Sequence, residues 1–299
     1  MDKLNKPRFS IVIPCYNEEN YIAATLESLK KQTFKGNVEI IIVDNNCTDD
    51  TVNIAKSFGA KVVSEKQPGV CWARQAGTEH ANGEIIVSTD ADTIFSKDWL
   101  TKINATFENN SKIVAVGGPC RYITGPRWGR IYTPFLFGSV FFLQFLIRHP
   151  FYLSATNIAF KKSEWEGYDV NLPQAGDEVD LLHKLRKRGR VKFIYNNSTY
   201  TSGRRLEQGL FYNLFVTFLF YYLTAYYLNR LFKREIIGSA PAFRKKPISI
   251  KTAFSNKLMP VYAGILIAII AIPYSRSFLK DNMHDTISTI DRVKTAFRK

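Results

Sequence analysis

The feature that most constrains the fold is an alternation of short apolar runs with longer segments of helical spacing over residues 9–119. The runs FSIVIP (9–14) and EIIIVD (39–44) are short and rich in Ile and Val, as buried parallel strands are. Between them, Ile22, Leu26 and Leu29 recur at helical spacing. Strands that alternate with helices of this length predict an α/β fold, with a mostly parallel sheet covered by helices on both faces.

The same alternation continues along the chain, with further predicted strands at AKVVSE, EIIVSTDAD and KIVAVGGP. The residue types at the helix ends predict where two of the helices begin and end. Asn17 and Thr48 are candidate N-caps of the first two helices, and Gly59 is a candidate stop for the second.

Acidic residues follow three of the predicted strands, namely Glu18, Asp44 and the pair Asp90 and Asp92. The carboxyl ends of parallel strands meet at one edge of a sheet, so we expect these side chains to face one crevice. Asp90 and Asp92 flank a single residue and point the same way in an extended chain. Their hard oxygens suit Mg²⁺ or Mn²⁺, although acidic residues also simply favour turns at strand ends.

Two common nucleotide-binding fingerprints, GxGxxG and GxxxxGK[ST], are absent from the sequence. This absence argues against a hydride-transferring Rossmann enzyme and against a P-loop ATPase. Arg74, on the helix after the third strand, could instead reach a diphosphate or remain a solvated helix residue. In SGRRLEQ, Arg204 and Arg205 could lie near a diphosphate or near a membrane surface.

The segments PCYNEE, VDNNCTDDT, GVCWARQAG and GEIIVSTDAD, in this order, resemble glycosyltransferase family 2, whose catalytic domain has the GT-A fold. The resemblance covers about residues 8–200. It implies a site for the base and ribose of a nucleotide sugar at Pro14, Tyr16, Glu18 and Asp44. It also implies a metal motif for Mn²⁺ or Mg²⁺ at Asp90 and Asp92, with Asp92 as the direct ligand. Arg74 stands where the family usually has an Arg-Asn pair, but Gln75 follows it here.

Further along, GYD (167–169) and GDEVDLLHKL look like the acceptor region of the family. The resemblance implies a general base at the start of the helix, and by position this is Glu178. Asp177 and Asp180 stay open as alternatives, because the order of Asp177 and Glu178 is reversed relative to the family pattern. An acidic helix start that is favoured only by the helix dipole is the non-catalytic interpretation.

The second half of the chain carries the positive charge. Residues 1–120 have a net charge of −2, whereas residues 121–299 have a net charge of +17. Aromatic residues make up 14% of the chain. This combination favours contact with something anionic, such as lipid headgroups, a phosphate-bearing substrate or nucleic acid.

Three apolar segments in that half point to a membrane: 134–147, 209–228 and 258–273. Of these, 209–228 is long enough to span a bilayer. The loop 229–257 after it contains eight Lys or Arg residues, and a crossing would move them out of the cytosol. We therefore expect 209–228 to lie in the membrane interface, with the basic loop on anionic headgroups. The segment 258–273 is either a short anchor or a re-entrant helix, and 134–147 is either a core helix or a membrane contact.

These features predict two domains: residues 1–202 as a GT-A domain and residues 203–299 as a membrane-associated helical region. Within the first, residues 1–120 form a nucleotide-binding half and residues 121–202 an acceptor half. The four cysteines have no metal-ligand spacing, and MDKLNKPRFS has no apolar signal region, so we expect reduced thiols and a location at the cytoplasmic membrane face.

The resemblance implies an inverting, membrane-associated transferase. Its expected partners are a nucleotide-sugar donor, with UDP favoured over GDP, a lipid-linked or glycan acceptor, and membrane lipids, without nucleic acid. One alternative is a metal-dependent nucleotidyltransferase, which would carry a Gly-rich basic loop in place of PCYNEE. The other is a non-catalytic basic protein that binds a membrane or nucleic acid, which leaves the acidic crevice unexplained.

Overall fold

The computed structural model describes residues 6–171, 177–234 and 236–238, which belong to one compact unit. Its strands are β1 (Phe9–Cys15), β2 (Val38–Asp44), β3 (Lys61–Ser64), β4 (Ile85–Ser88), β5 (Thr93–Phe95), β6 (Ile113–Gly117), β7 (Cys120–Tyr122), β8 (Ile158–Lys161), β9 (Arg190–Phe193) and β10 (Thr199–Thr201). Its α-helices are α1 (Ile22–Lys30), α2 (Thr51–Ser57), α3 (Val70–Glu79), α4 (Trp99–Asn109), α5 (Arg127–Ile147), α6 (Val179–Arg188) and α7 (Ala225–Phe232).

Seven strands form the main sheet, in the order β3-β2-β1-β4-β8-β6-β9. Six of them run parallel, while β8 is antiparallel to both of its neighbours, β4 and β6. The predicted α/β fold with a mostly parallel sheet is thereby confirmed. The sequence analysis did not foresee β8, because a four-residue apolar run carries no information on strand direction.

Helices cover both faces of the sheet, and each face has its own apolar core. Along β1 the side chains alternate, so that Val12 packs on one face and Ile11 and Ile13 on the other. Helices α3, α5 and α6 cover the Val12 face, whereas α1 and α4 cover the opposite one. Helix α3 approaches closely through Gly77, where a Cβ would overlap the side chains of Val12 and Val43.

A second, three-stranded sheet has the order β5-β10-β7. Strand β10 pairs antiparallel with β5 and parallel with β7. Because β5 begins directly after Asp92, this sheet ties the predicted metal motif to residues from the second half of the chain. Thr201 at the end of β10 donates from its hydroxyl to Asp92 Oδ1 at 3.0 Å.

The two predicted caps have a different role in the structure. Helix α1 begins at Ile22 and α2 at Thr51, and neither helix has a side-chain cap bond. Instead, the Thr48 backbone N–H donates to Asn17 Oδ1 at 2.7 Å, so these residues join the loops after β1 and β2. The predicted stop at Gly59 is confirmed, since it follows the end of α2 with a left-handed φ of 78°.

Helix α5 contains the apolar segment 134–147 and is buried on one side only. Gly129, Thr133, Phe137 and Val140 are buried. The opposite side exposes large apolar side chains, including Ile131, Phe135, Phe142, Phe145 and Leu146. The interpretation of 134–147 as an ordinary core helix is therefore wrong. By length and composition α5 could span a membrane.

The predicted segment 209–228 is also helical. Its middle, Tyr212–Thr224, has the wider π-type winding and continues directly into α7. Leu210, Phe211 and Phe218 are among its exposed side chains. The segment 258–273 and most of the loop 229–257 lie outside the described residues, and the domain boundary at 202 stays a prediction.

Candidate active site

Two predicted site residues, Glu18 and Asp92, come together around one arginine that follows β10. Arg204 donates two hydrogen bonds to the carboxylate of Glu18, at 2.7 and 2.8 Å. The same guanidinium lies 3.1 Å from Asp92 Oδ2. Glu18 is only 3% exposed. This paired, fork-like contact is the strongest geometry available to an arginine and a carboxylate, and it fixes the loop after β1 against the metal motif.

A second arginine, which is fully buried, joins the two halves of the site. Arg74 on α3 is 1% exposed and donates to Asp90 Oδ1 at 2.5 Å and to Ser88 Oγ at 2.8 Å. Its Nε lies 3.4 Å from Asp177 Oδ2. Burial alone would lower the pKa of Arg74, but the charges of Asp90 and Asp177 raise it above its ordinary value. Arg74 is thus a charged link between the predicted metal motif and the predicted acceptor side.

Asp92 has the environment of a cation ligand. Its pKa is raised to about 6, first by burial and then by the negative charge of Asp90, with Glu18 adding to the effect. A hard divalent cation beside Asp90 and Asp92 would neutralise part of this charge. No group of three or more His, Cys, Asp or Glu residues among the described ranges forms a ready-made cage. Asp90 and Asp92 would therefore hold the ion together with substrate phosphate and water, as Mg²⁺ sites commonly do.

The three candidate bases at the start of α6 differ in their partners. Asp177 faces Arg74, and Asp180 forms an ion pair with Arg230 and accepts a hydrogen bond from the Tyr226 hydroxyl at 3.2 Å. Glu178 directly precedes α6, and its pKa is raised to about 8, first by burial and then by the charge of Asp177. Of the three, Glu178 best combines a position at the crevice with a proton affinity suited to acid–base chemistry.

The remaining predicted residues line the strand ends beside this cluster. Pro14 belongs to β1, and Asp44 ends β2 next to Cys15. One carboxylate oxygen of Asp44 accepts the Cys47 backbone N–H at 2.9 Å and so holds the following turn. Tyr16 is 44% exposed, which leaves its ring accessible to a flat ligand. These residues lie at the β1–β2 end of the crevice.

Sequence reasoning missed two residues that hold the acidic cluster in place. The predictions left Arg204 between a diphosphate and a membrane surface, whereas in the structure it binds Glu18, 186 positions earlier in the chain. Thr201 was not singled out at all. A basic pair directly after a strand was the only available signal for Arg204, because no local pattern encodes a contact at such a separation.

The sheet order, the helices on both faces and the acidic crevice at the strand ends define a nucleotide-sugar transferase fold of the GT-A type. The comparisons with known proteins identify the family within this class. A family model described as glycosyl transferase family 2 matches residues 10–165, which is more than half of the chain. The chain belongs to this family, as the resemblance predicted.

Named relatives agree with that assignment. A glucosyl-dolichyl phosphate glucuronosyltransferase of Haloferax volcanii is 25% identical over 224 residues, covering 67% of this chain and 70% of the relative. Uncharacterised glycosyltransferases of Mycobacterium bovis and Mycobacterium tuberculosis are 34% identical over 119 residues, which is 40% of this chain. The chain spans about half the length, 51%, of these mycobacterial relatives.

Two solved structures share the fold. The Mycobacterium tuberculosis glucosyl-3-phosphoglycerate synthase, in complex with Mn²⁺, UDP and glucosyl-3-phosphoglycerate, has a TM-score of 0.52 at 23% identity and covers 68% of this chain and 74% of its own. The mannosyltransferase of Pyrobaculum calidifontis, in complex with GDP-mannose and Mn²⁺, has a TM-score of 0.55 at 19% identity and covers 97% and 81%.

Proposed function

We propose that this protein is an inverting, metal-dependent glycosyltransferase that transfers a sugar from a nucleotide-sugar donor to a lipid-linked or glycan acceptor. The observation that carries the proposal is the convergence of Glu18, Asp90, Asp92 and Asp177 on two arginines, buried Arg74 and partly buried Arg204, at one edge of the sheet. Membership of glycosyl transferase family 2 supports it. A nucleotidyltransferase or a purely structural protein has no need for this arrangement together with a base at α6.

The donor would lie along the strand ends, with its base and ribose at Pro14, Tyr16, Glu18 and Asp44. Its diphosphate would then meet Asp90 and Asp92 through Mn²⁺ or Mg²⁺, which supplies positive charge for the leaving group. Arg74 keeps Asp90 oriented from behind. Arg204 holds Glu18 and Asp92 at a fixed separation, so the donor meets a site that is already assembled.

The acceptor would enter from the α6 side. Glu178 would take the proton of an acceptor hydroxyl as that oxygen attacks the anomeric carbon, opposite the departing nucleoside diphosphate. Burial keeps the proton affinity of this carboxylate high enough for the task. Attack from the face opposite the leaving group inverts the configuration at the anomeric carbon.

The apolar helices support the proposed acceptor class and a location at a membrane. The exposed aromatic side of α5 and the exposed side chains near Phe211 suit a membrane interface better than water. A relative named for a dolichyl-phosphate substrate supports a lipid-linked acceptor. We therefore place the protein at the cytoplasmic face of a membrane. We favour UDP over GDP as the donor nucleotide, with support from a fold neighbour crystallised with UDP.

The first test measures thermal shifts of detergent-purified protein with UDP, GDP and CMP sugars, with and without Mn²⁺. A ligand at about one hundred times its dissociation constant stabilises the folded state by roughly 2.7 kcal/mol. We expect a shift with a UDP sugar that requires Mn²⁺ and disappears in Asp92→Ala.

The matched control is Asp98→Ala, which removes an exposed carboxylate that pairs with Lys102 outside the crevice. This variant should keep the full donor shift. If no nucleotide sugar shifts the folded wild-type protein, or if both variants lose the shift equally, the proposed function is wrong.

A further inference from the structure

Two hollows meet at Pro134 of α5, one between the helix and the three-stranded sheet and the other on the outer side of the helix. The first, called here the arginine pocket, has a volume of about 270 Å³, and its walls include Arg121, Tyr122, Arg130, Thr133 and Tyr200. The second, called here the apolar groove, has a volume of about 500 Å³ and is lined by Pro134, Phe135, Gly138, Ser139, Phe142 and Leu143. Both lie outside the acidic crevice described above.

The arginine pocket has an excess of positive charge. Arg121 and Arg130 are both exposed, and neither has a carboxylate within 4.0 Å among the described residues. Arg121 donates to Ser198 Oγ at 3.3 Å, which holds its side chain over the outer face of the three-stranded sheet. Tyr200 stands directly beside Arg121 in the register of β7 and β10. Two arginines held at one small pocket provide the donors that a phosphate group prefers.

A buried hydroxyl in the same pocket provides an independent sign of a ligand. Thr133 is 3% exposed, and its hydroxyl has no hydrogen-bond partner within the part of the chain that the structure describes. A threonine within a helix can donate to the carbonyl four residues earlier, but this one does not. A phosphate or glycerol oxygen at this position would give the hydroxyl a hydrogen-bond partner.

The apolar groove indicates which kind of molecule carries the phosphate. It begins where the pocket ends, at Pro134, and its other residues are mostly apolar. Phe135 and Phe142 flank it and are 77% and 74% exposed. A free phosphate ion would use the pocket and leave the groove to water, whereas a phospholipid would fill both with one molecule.

We propose that the arginine pocket binds the phosphate of an anionic phospholipid and that the apolar groove holds the first part of one acyl chain. The inference rests on the membrane association proposed above and adds a defined lipid site to it. The protein would then recognise an individual headgroup on α5 in addition to any diffuse attraction of its basic residues to the membrane.

The test compares binding of the full chain to vesicles of phosphatidylcholine with binding to vesicles that also contain phosphatidylglycerol. In Arg121→Gln/Arg130→Gln the preference for phosphatidylglycerol should fall roughly 30-fold, since the charge-assisted hydrogen bonds of both arginines to one phosphate are lost. Arg127→Gln/Arg148→Gln removes two exposed charges from the ends of α5 outside the pocket and should cost at least fivefold less. Thr133→Val keeps the charge and should lower the preference about threefold.

Equal losses in the two double variants would show diffuse attraction only and would overturn the proposal. Competition by inorganic phosphate at constant ionic strength would assign the pocket to a free anion and would overturn the lipid as occupant. The donor thermal shift, measured on the same preparations in detergent, separates this site from the catalytic one. Arg121→Gln/Arg130→Gln should keep that shift, and a missing shift with an intact lipid preference would contradict only the proposed transferase activity.

Discussion

The strands β1 and β2 and the helix α5 use the same apolar residue types but meet different surroundings. Ile11 and Ile41 are completely buried between two layers of helices. On α5, by contrast, Phe137 is 3% exposed while Phe135, two residues earlier, is 77% exposed. The strands are therefore saturated with protein contacts on both faces, whereas α5 has protein on one face only.

This difference teaches that apolar composition alone does not identify the partner of an apolar surface. In the sheet, the polar residues at the carboxyl ends of the strands build the acidic crevice. In α5 and the helix that follows Gly209, the outward apolar side chains have no comparable core around them. A non-aqueous partner for these surfaces is the basis of the proposed membrane contact.

The largest expected effect is the loss of kcat when the proposed general base is replaced. Glu178→Gln should lower kcat about 10²- to 10⁴-fold, because the amide cannot accept the acceptor proton. The donor thermal shift should remain, since the proposed donor site lies along β1, β2 and β4. Turnover of a nucleotide sugar in detergent, followed by release of the nucleotide, measures the effect. A normal kcat in Glu178→Gln would move the role of the base to Asp177.

The two faces of α5 should differ strongly in stability. Phe137→Ala should lower the free energy of unfolding by about 3–5 kcal/mol, because it leaves a cavity against Phe193 and Tyr152. Phe135→Ala should change it by less than about 0.5 kcal/mol in detergent. Urea unfolding of both variants gives the comparison. Similar losses would mean that the outer face is buried in a protein contact, which would contradict the proposed membrane role.

The link through Arg204 should be worth less than a core phenylalanine but more than a surface ion pair. Arg204→Ala should cost about 2–3 kcal/mol, because it leaves the buried Glu18 carboxylate without its cation. Arg188→Ala serves as the control, since its pairs with Glu164 and Glu166 are exposed and contribute about 0–1 kcal/mol. Equal unfolding midpoints for the two variants would show that Arg204 does not hold the crevice together.

The smallest expected effect is a pH dependence of stability. The folded state raises the pKa of Glu178 from 4.5 to about 8, so it keeps a proton that the unfolded chain releases. Stability from this group is therefore present below about pH 4.5 and is lost as the pH rises towards 8. In EDTA, melting temperatures of wild type should fall between pH 5 and pH 8 by a few degrees more than those of Glu178→Gln. An identical decline in both proteins would rule out this proton.

Local patterns predicted the first half of the fold well. The runs around Ile11 and Ile41 became strands, and Ile22, Leu26 and Leu29 became the buried side of α1. The candidate site residues at the strand ends followed from the rule that parallel strands end at one edge. The features that could not be predicted depend on contacts between distant segments. Examples are the ion pair of Arg204 with Glu18 and the burial of Arg74 between two aspartates.

The prediction of helix caps at Asn17 and Thr48 was wrong for a related reason. Asn and Thr offer the same hydrogen-bonding groups to a helix end and to a neighbouring loop, and the loops after β1 and β2 lie close enough to use them. The split exposure of α5 was likewise hidden, because Phe135 and Phe137 are identical in the sequence and differ only in which side of the helix they occupy.

The position of β8 has a consequence for how the chain is made. β8 lies between β4 and β6 in the sheet, yet its residues follow the whole nucleotide-binding half in the sequence. During synthesis, the facing edges of β4 and β6 therefore stay without their partner until residues 158–161 have emerged, and open strand edges invite aggregation. A truncated chain that ends at residue 120 would have the same bare edges. The proposed nucleotide-binding half would thus not fold as a unit by itself.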